Sequence, residues 1–284
     1  MTGRVDIVEV GPRDGLQNEA EFIATERKIA LIDCLSRAGF RRIEVASFVS
    51  PKWVPQMADG ARVLKGVKRR PGVLLTALTP NLTGFRRALT AAVDEIAIFV
   101  SATEGFSQAN LNASIAEVAE KSRVLAEAAH SVGVPVRGYV SCVTDCPYDG
   151  PTPPQSAALA VEMLRDMGCY EVSLGDTIGK ATPERVEKLL ETVLKVCPAE
   201  ALAGHFHDTD GHAIENIDVS LSLGLRVFDA AVGGLGGCPY APGATGNVAT
   251  EAVVRHLTEQ GYDCGLDIAI IEEAAAMAKE MRSV

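Results

Sequence analysis

Short apolar, β-branched runs recur eight times along this chain, at residues 5–11, 42–47, 73–79, 95–101, 134–142, 170–177, 202–209 and 227–234. Between them lie stretches with helical spacing, such as 24–38, 115–132, 154–167, 183–196 and 211–223. An alternating series of continuously apolar strands and helices implies a parallel sheet covered by helices. Eight such units predict closure into an α/β (β/α)8 TIM barrel, and 284 residues suit one, since such barrels run to about 250 residues or more. The alternative, a doubly wound open sheet, is weakened because no G-x-G-x-x-G follows the first strand. Pro154 and Pro183 stand where a first helical turn tolerates proline, and Gly39, Gly133, Gly168 and Gly224 stand where helices end in left-handed caps. No proline- or serine-rich linker divides the chain, so residues 1–284 are expected to form one catalytic domain with a helical extension after about residue 247.

Composition narrows the function classes. Hydrophobic residues at 47% and charged residues at 23% suit a globular protein. A net charge of −10 argues against nucleic acid or an anionic membrane surface as partner, because both need clustered positive charge. No apolar run reaches membrane-span length, and the N-terminus passes directly into the first strand-like run, so a cytoplasmic protein is expected. The seven cysteines are odd in number and mostly sit in apolar segments, as reduced buried thiols do. Cys142 and Cys146 lack a second pair at zinc-ribbon spacing and are read as structural.

In a barrel of this kind, chemistry is built where strands end. There the chain carries Glu9 to Gly15 (Glu-Val-Gly-Pro-Arg-Asp-Gly), then Glu44 and Ser47, then Ser173 and Asp176, then His205-Phe206-His207. His205 and His207 are two apart on a strand and face the same side. With Asp14 across the mouth, they point to a divalent metal; a hydrogen-bonded polar plug is the bland alternative. Imidazole, carboxylate and the Asn247 amide oxygen form a hard set, so Mg2+ or Mn2+ is as plausible as Zn2+. After the eighth strand, residues 233–247 are rich in glycine and proline, a shaped loop above the mouth carrying Cys238, which could serve as a proton donor.

Taken together, these motifs resemble the hydroxymethylglutaryl-CoA lyase family over nearly the whole chain. The resemblance is carried by residues 8–18 (VEVGPRDGLQN), 47–57 (SFVSPKWVPQM), 137–142 (RGYVSC), and 236–243 (GGCPYAPG) with 246–251 (GNVATE). It implies metal ligands Asp14, His205, His207 and Asn247, a catalytic Cys238 and a catalytic Arg13. Glu44, Ser47, Ser173, Asp176 and Glu251 match further active-site or supporting positions. The implied reaction is metal-dependent cleavage of 3-hydroxy-3-methylglutaryl-CoA to acetyl-CoA and acetoacetate, a step of leucine degradation, by an acyl-CoA-binding homodimer. Asp14 or His205 would be the base, Arg13 would stabilise the enolate, and Cys238 would protonate it.

The alternatives are a lyase for another 3-hydroxy acyl-CoA, a Claisen-condensing synthase on the same barrel, and a metal-holding protein without turnover. The synthases lack the cysteine loop, so Cys238 separates them. Lys52, Arg86 and Arg87 are candidates for holding CoA. Three departures bear on the substrate: Ala46 in place of a threonine, Phe206 between the histidines, and Ser101-Ala102-Thr103-Glu104 after the fourth strand. Phe206 is expected to face away from the metal, whereas Ala46 and Thr103 are expected to border the acyl pocket.

Overall fold

The computed structural model describes residues 3–236 and 246–282. Eight strands close into a parallel barrel: β1 (Asp6–Glu9), β2 (Arg42–Ser47), β3 (Leu74–Leu78), β4 (Glu95–Ser101), β5 (Val136–Ser141), β6 (Val172–Asp176), β7 (Leu202–Phe206) and β8 (Val227–Ala230). They run in sequence order round the barrel, and β8 pairs back onto β1 with Asp6 beside Val227 and Glu9 beside Ala230. Each lies inside its expected run. Beyond the strands, the first run ends in a helical turn, and the seventh and eighth continue through single bridges, His207 to Asn247 and Ala231 to Ala249, before they turn. Residues Gly11–Gly15 wind into a π-helical turn, and Val232–Gly234 form a 3-10 turn with Gly233 and Gly234 at φ +67° and +60°.

Helices α1 (Thr25–Leu35), α2 (Gly60–Gly66), α3 (Leu82–Thr90), α4 (Glu104–Leu111), α5 (Ile115–Ser131), α6 (Pro154–Asp166), α7 (Pro183–Val193) and α8 (Ala213–Ser222) connect the strands. Local signals set their ends: proline opens α6 and α7, Ser114 and Glu117 form a reciprocal cap on α5, and Asn81 caps α3. The four expected glycine caps all take positive φ. After β8, α9 (Thr250–Glu259) and α10 (Ile268–Lys279) follow, with α10 packed on α1, α9 and the Val232–Gly234 turn. Among the described residues no helix is long and apolar enough to cross a membrane.

A register irregularity in β2 orients the rim. The pairing with β3 shifts between Glu44 and Ala46, so alternation is interrupted there. Ala46 is turned toward α2, where a Cβ on Gly60 would lie only 3.0 Å from its methyl. The Ala46 methyl thus faces the α2 side. Thr103 has its hydroxyl bonded to the Cys146 sulfur at 3.1 Å and its N–H to the Ser101 hydroxyl at 3.1 Å. Phe206 behaves as expected, buried in the apolar layer outside the barrel wall.

Candidate active site

The π-helical turn after β1 places two charged side chains side by side. The N–H groups of Arg13, Asp14 and Gly15 all point back to the Val10 carbonyl, at 3.1, 2.8 and 3.3 Å. Such widened turns are frequent at functional sites. Glycine is required at both ends: a Cβ on Gly11 would meet a Glu9 carboxylate oxygen at 2.6 Å, and one on Gly15 would meet the Leu235 Cβ at 2.6 Å. The turn thus sits flush against the stem of the glycine-rich loop.

Across the barrel mouth, His205 and His207 each bring Nε2 to 3.9 Å from Asp14 Oδ2. One ligand atom from each of Asp14, His205 and His207 can be chosen so that all three lie within 4.8 Å of one another, a possible metal site. Asn247 joins them. It bridges to His207 in a short antiparallel pairing, and its Nδ2 donates to Asp14 Oδ2 at 2.9 Å and to the Leu235 carbonyl at 3.1 Å. Two buried atoms here have no hydrogen-bond partner, Asn247 Oδ1 and His207 Nδ1. Orphaned buried polar atoms are rare and call for a cause. A hard divalent cation bound by oxygen and imidazole ligands supplies one for the amide oxygen, so these residues fit such an ion.

Arg13 is held in a fork. Its Nε donates to Glu44 Oε2 at 2.7 Å, and another guanidinium nitrogen pairs with Asp14 at 2.5 Å. The guanidinium also lies over the Tyr139 ring, 5.7 Å from its centroid. The charges reinforce one another. Burial alone would raise the Asp14 pKa, but Arg13, then His205 and His207, hold it well below the usual carboxylate range. Burial and the neighbouring His205 push His207 down to about 4, leaving a neutral imidazole able to ligate. At His205, burial works in the lowering direction and is outweighed by Asp229, whose Oδ2 lies 3.1 Å from Nδ1, and by Asp14.

The remaining sequence-selected residues divide. Ser173 is drawn into the site's underside, its hydroxyl donating to Asp229 Oδ2 at 2.7 Å. Ser47 is buried with an unpartnered hydroxyl. Glu251 instead accepts the Gly233 N–H at 3.0 Å and so braces the stem of the glycine loop. Asp176 accepts N–H groups from Lys180 and Ala181 at 3.2 and 3.0 Å; burial raises its pKa to about 6, and no bond joins it to the metal ligands. Arg87 lies over the Phe48 ring, 5.5 Å from its centroid, beside the loop that carries Lys52. Cys238 lies outside the described residues; Gly236 and Gly246, which flank that stretch, meet beside Asn247. The other six cysteines are buried and form no disulfide among the described residues, Cys142 and Cys146 included.

Sequence reasoning passed over Tyr139, Arg137 and Asp229. The Tyr139 hydroxyl accepts from Arg137 at 2.9 Å and donates to Glu44 at 3.3 Å, while Arg137 grips Asp229 through two nitrogens at 2.7 and 3.2 Å. A signal was available: an arginine in the fifth apolar run and an aspartate in the eighth are costly inside a barrel unless paired.

Comparison with known proteins agrees with this geometry. The family model described as HMGL-like matches residues 4–278. A Pseudomonas aeruginosa protein named 3-hydroxy-3-isohexenylglutaryl-CoA/hydroxy-methylglutaryl-CoA lyase is 54% identical over 271 residues, covering 95% of this chain and 90% of that protein. The crystal structure of the HMG-CoA lyase from Brucella melitensis superposes with a TM-score of 0.97 at 55% identity, covering 99% of each chain. An HMG-CoA lyase from Acinetobacter baumannii in complex with coenzyme A and 3-methylmalate superposes with a TM-score of 0.92 at 35% identity, over 97% of this chain and 92% of that one. By the family match, by identity and by fold, the chain belongs to the HMGL-like family.

Proposed function

We propose that this chain is a hydroxymethylglutaryl-CoA lyase, cleaving 3-hydroxy-3-methylglutaryl-CoA to acetyl-CoA and acetoacetate, and that it works in leucine degradation. The observation that carries the reading is the convergence of Asp14, His205 and His207 at a mouth that also holds the Arg13–Glu44 pair. Relatives named for this activity, and one whose structure holds coenzyme A, support it.

The reaction breaks the bond between the carbon bearing the tertiary hydroxyl and the carbon next to the thioester. The hydroxyl loses its proton and becomes the ketone of acetoacetate, while the bonding pair moves onto the thioester fragment as an enolate. A divalent ion, Mg2+, Mn2+ or Zn2+, held by Asp14, His205, His207 and Asn247, would supply Lewis acidity that lowers the pKa of that hydroxyl. Asp14, through its carboxylate or a water held beside it, takes the hydroxyl proton, since His205 has Nδ1 on Asp229 and Nε2 at the metal position. Arg13, fixed by Glu44 and Asp14, presents a planar cation to the enolate oxygen. Glu44 and Asp176 orient neighbouring groups, Ser47 lines the substrate side, and Ser173 supports the site from beneath through Asp229. Cys238 returns a proton to the enolate carbon, giving acetyl-CoA.

A second reading, a lyase for a 3-hydroxyglutaryl-CoA with a longer 3-substituent, is favoured by one fact: the Pseudomonas relative carries both substrates in its name. Acetyl-CoA release from the methyl and isohexenyl substrates, compared by kcat/KM, tests both; release from neither removes the lyase reading. The net charge of −10 supports a small-molecule partner rather than nucleic acid or an anionic membrane surface. The six buried thiols suit a reducing compartment, the cytoplasm, and a homodimer is the assembly we expect.

A further inference from the structure

We infer that Asp229, anchored by Arg137, is the positioning residue that fixes the ring tautomer of His205 so that Nε2 presents a lone pair at the mouth. The inference rests on the metal reading of Asp14, His205 and His207, and it extends inward from the rim to a strand that the reaction itself does not use. Asp229 is the third residue of β8 and sits in register beside His205 on β7, so the sheet brings the two together. It is 1% exposed and surrounded by donors: Ser173 Oγ at 2.7 Å and two Arg137 nitrogens at 2.7 and 3.2 Å.

An ionised carboxylate only accepts hydrogen bonds. Facing it at 3.1 Å, His205 Nδ1 must therefore carry the proton, and in the neutral ring that leaves Nε2 as the bare nitrogen. Nε2 is the atom turned toward Asp14. Arg137 holds Asp229 in place, being itself 2% exposed and held from the other side by Glu171 at 2.7 Å, and with Ser173 it donates to both Asp229 oxygens. His207 has no such partner at Nδ1, so the two histidines are prepared differently. Partners of this kind behind metal-bound imidazoles typically contribute about 10- to 100-fold in metal affinity.

The test has two readouts, neither of them turnover. Two-bond nitrogen–proton correlation spectra of 15N-histidine-labelled wild-type protein report the tautomer directly, with His205 assigned by its loss in His205→Gln. Recorded at alkaline pH, where the ring is neutral, the expected pattern is protonated Nδ1 and bare Nε2; the opposite tautomer, with Nε2 protonated and Nδ1 bare, overturns the inference without any Asp229 variant having to fold. Titration with Mn2+ alone then compares wild type, Asp229→Asn and Glu171→Gln. Asp229→Asn should weaken the Kd by about 10- to 100-fold, whereas Glu171→Gln, which loosens the same buried network from its far side, should lower Tm and leave the Kd unchanged. Equal Mn2+ affinity in a folded Asp229→Asn protein overturns the positioning role. Wild-type protein that binds no Mn2+ removes the metal reading itself, and this role with it.

Discussion

The two ends of the barrel use the same residue types at similar burial and treat them differently. At the N-terminal ends of the strands, Arg42 and Arg137 converge on Glu171, at 2.7 Å each, and the Tyr170 hydroxyl accepts from Arg42 at 2.8 Å while donating to Glu95 at 2.7 Å. Only one carboxylate oxygen of this floor, Glu95 Oε1, is unpartnered. At the C-terminal rim, Asn247 Oδ1, His207 Nδ1, Glu44 Oε1 and the Ser47 hydroxyl are all buried without partners. The floor spends its charges on one another, which offsets their desolvation. The rim leaves capacity open, and a buried polar atom left open is costly unless a ligand completes it. Charges at the floor therefore serve chiefly the fold and those at the rim chemistry, with Arg137, which grips both Glu171 and Asp229, joining the two.

That contrast can be broken most forcefully at a metal ligand. His207→Ala should lower kcat by roughly 10^3-fold, about 4 kcal/mol of lost transition-state stabilisation, and should lower metal stoichiometry while Tm stays close to wild type. A folded variant with full metal occupancy and a normal rate would remove His207 from the site. Arg13→Lys keeps the charge but loses the planar fork that now reaches both Glu44 and Asp14. Its kcat should fall by about 10^2- to 10^3-fold, the scale of a lost oxyanion donor. Retention of most of the rate would make Arg13 part of the floor's kind of charge.

Cys238→Ser keeps the shape of the side chain and raises the donor's pKa, so kcat should fall by roughly 100-fold with little change in KM. Cys238 should also be the thiol most readily alkylated, and substrate should protect it. A near-wild-type kcat would favour a synthase over a lyase. At the floor, Glu171→Gln should show the converse: a stability loss of roughly 1–3 kcal/mol, from buried hydrogen bonds to charged groups, with kcat nearly unchanged. A large drop in kcat at unchanged stability would erase the distinction between the two ends.

Glu9, at the end of β1, is a carboxyl of the opposite character to Asp14. Burial pushes Glu9 up from its ordinary 4.5 to about 7, against the N–H groups of Val232 and Gly11 and the Thr250 hydroxyl. The folded state therefore prefers the protonated form. That stabilisation is whole below about 4.5 and is lost as pH rises through about 7. Glu9→Gln, which cannot ionise, should be more stable than wild type above pH 7 by on the order of 1–3 kcal/mol and indistinguishable near pH 4. Denaturant midpoints at the two pH values decide it; a variant less stable at high pH would show that the fold uses the Glu9 charge.

Much of this was legible in the sequence because it follows from local pattern. Alternating apolar runs marked every barrel strand, and the His-Phe-His spacing assigned Phe206 to the wall and the two histidines to the mouth. What was not legible depends on register. The facing of Ala46 is one such point, since a pairing shift in β2 turned its methyl toward Gly60. Asp229 matters only because β8 lies beside β7 with Asp229 opposite His205, a pairing across 24 residues that no local window contains. The π-helical turn was hidden for a similar reason: Gly11 and Gly15 are dictated by Glu9 and by Leu235, more than two hundred residues away.

The central claim is that the open capacity of the rim is completed by a divalent ion on which C–C cleavage depends. Chelator-treated protein, freed of excess chelator and shown to be folded, should release no acetyl-CoA from 3-hydroxy-3-methylglutaryl-CoA and should recover the activity when Mg2+ or Mn2+ is added back. Undiminished release by protein shown by elemental analysis to be metal-free would contradict the account.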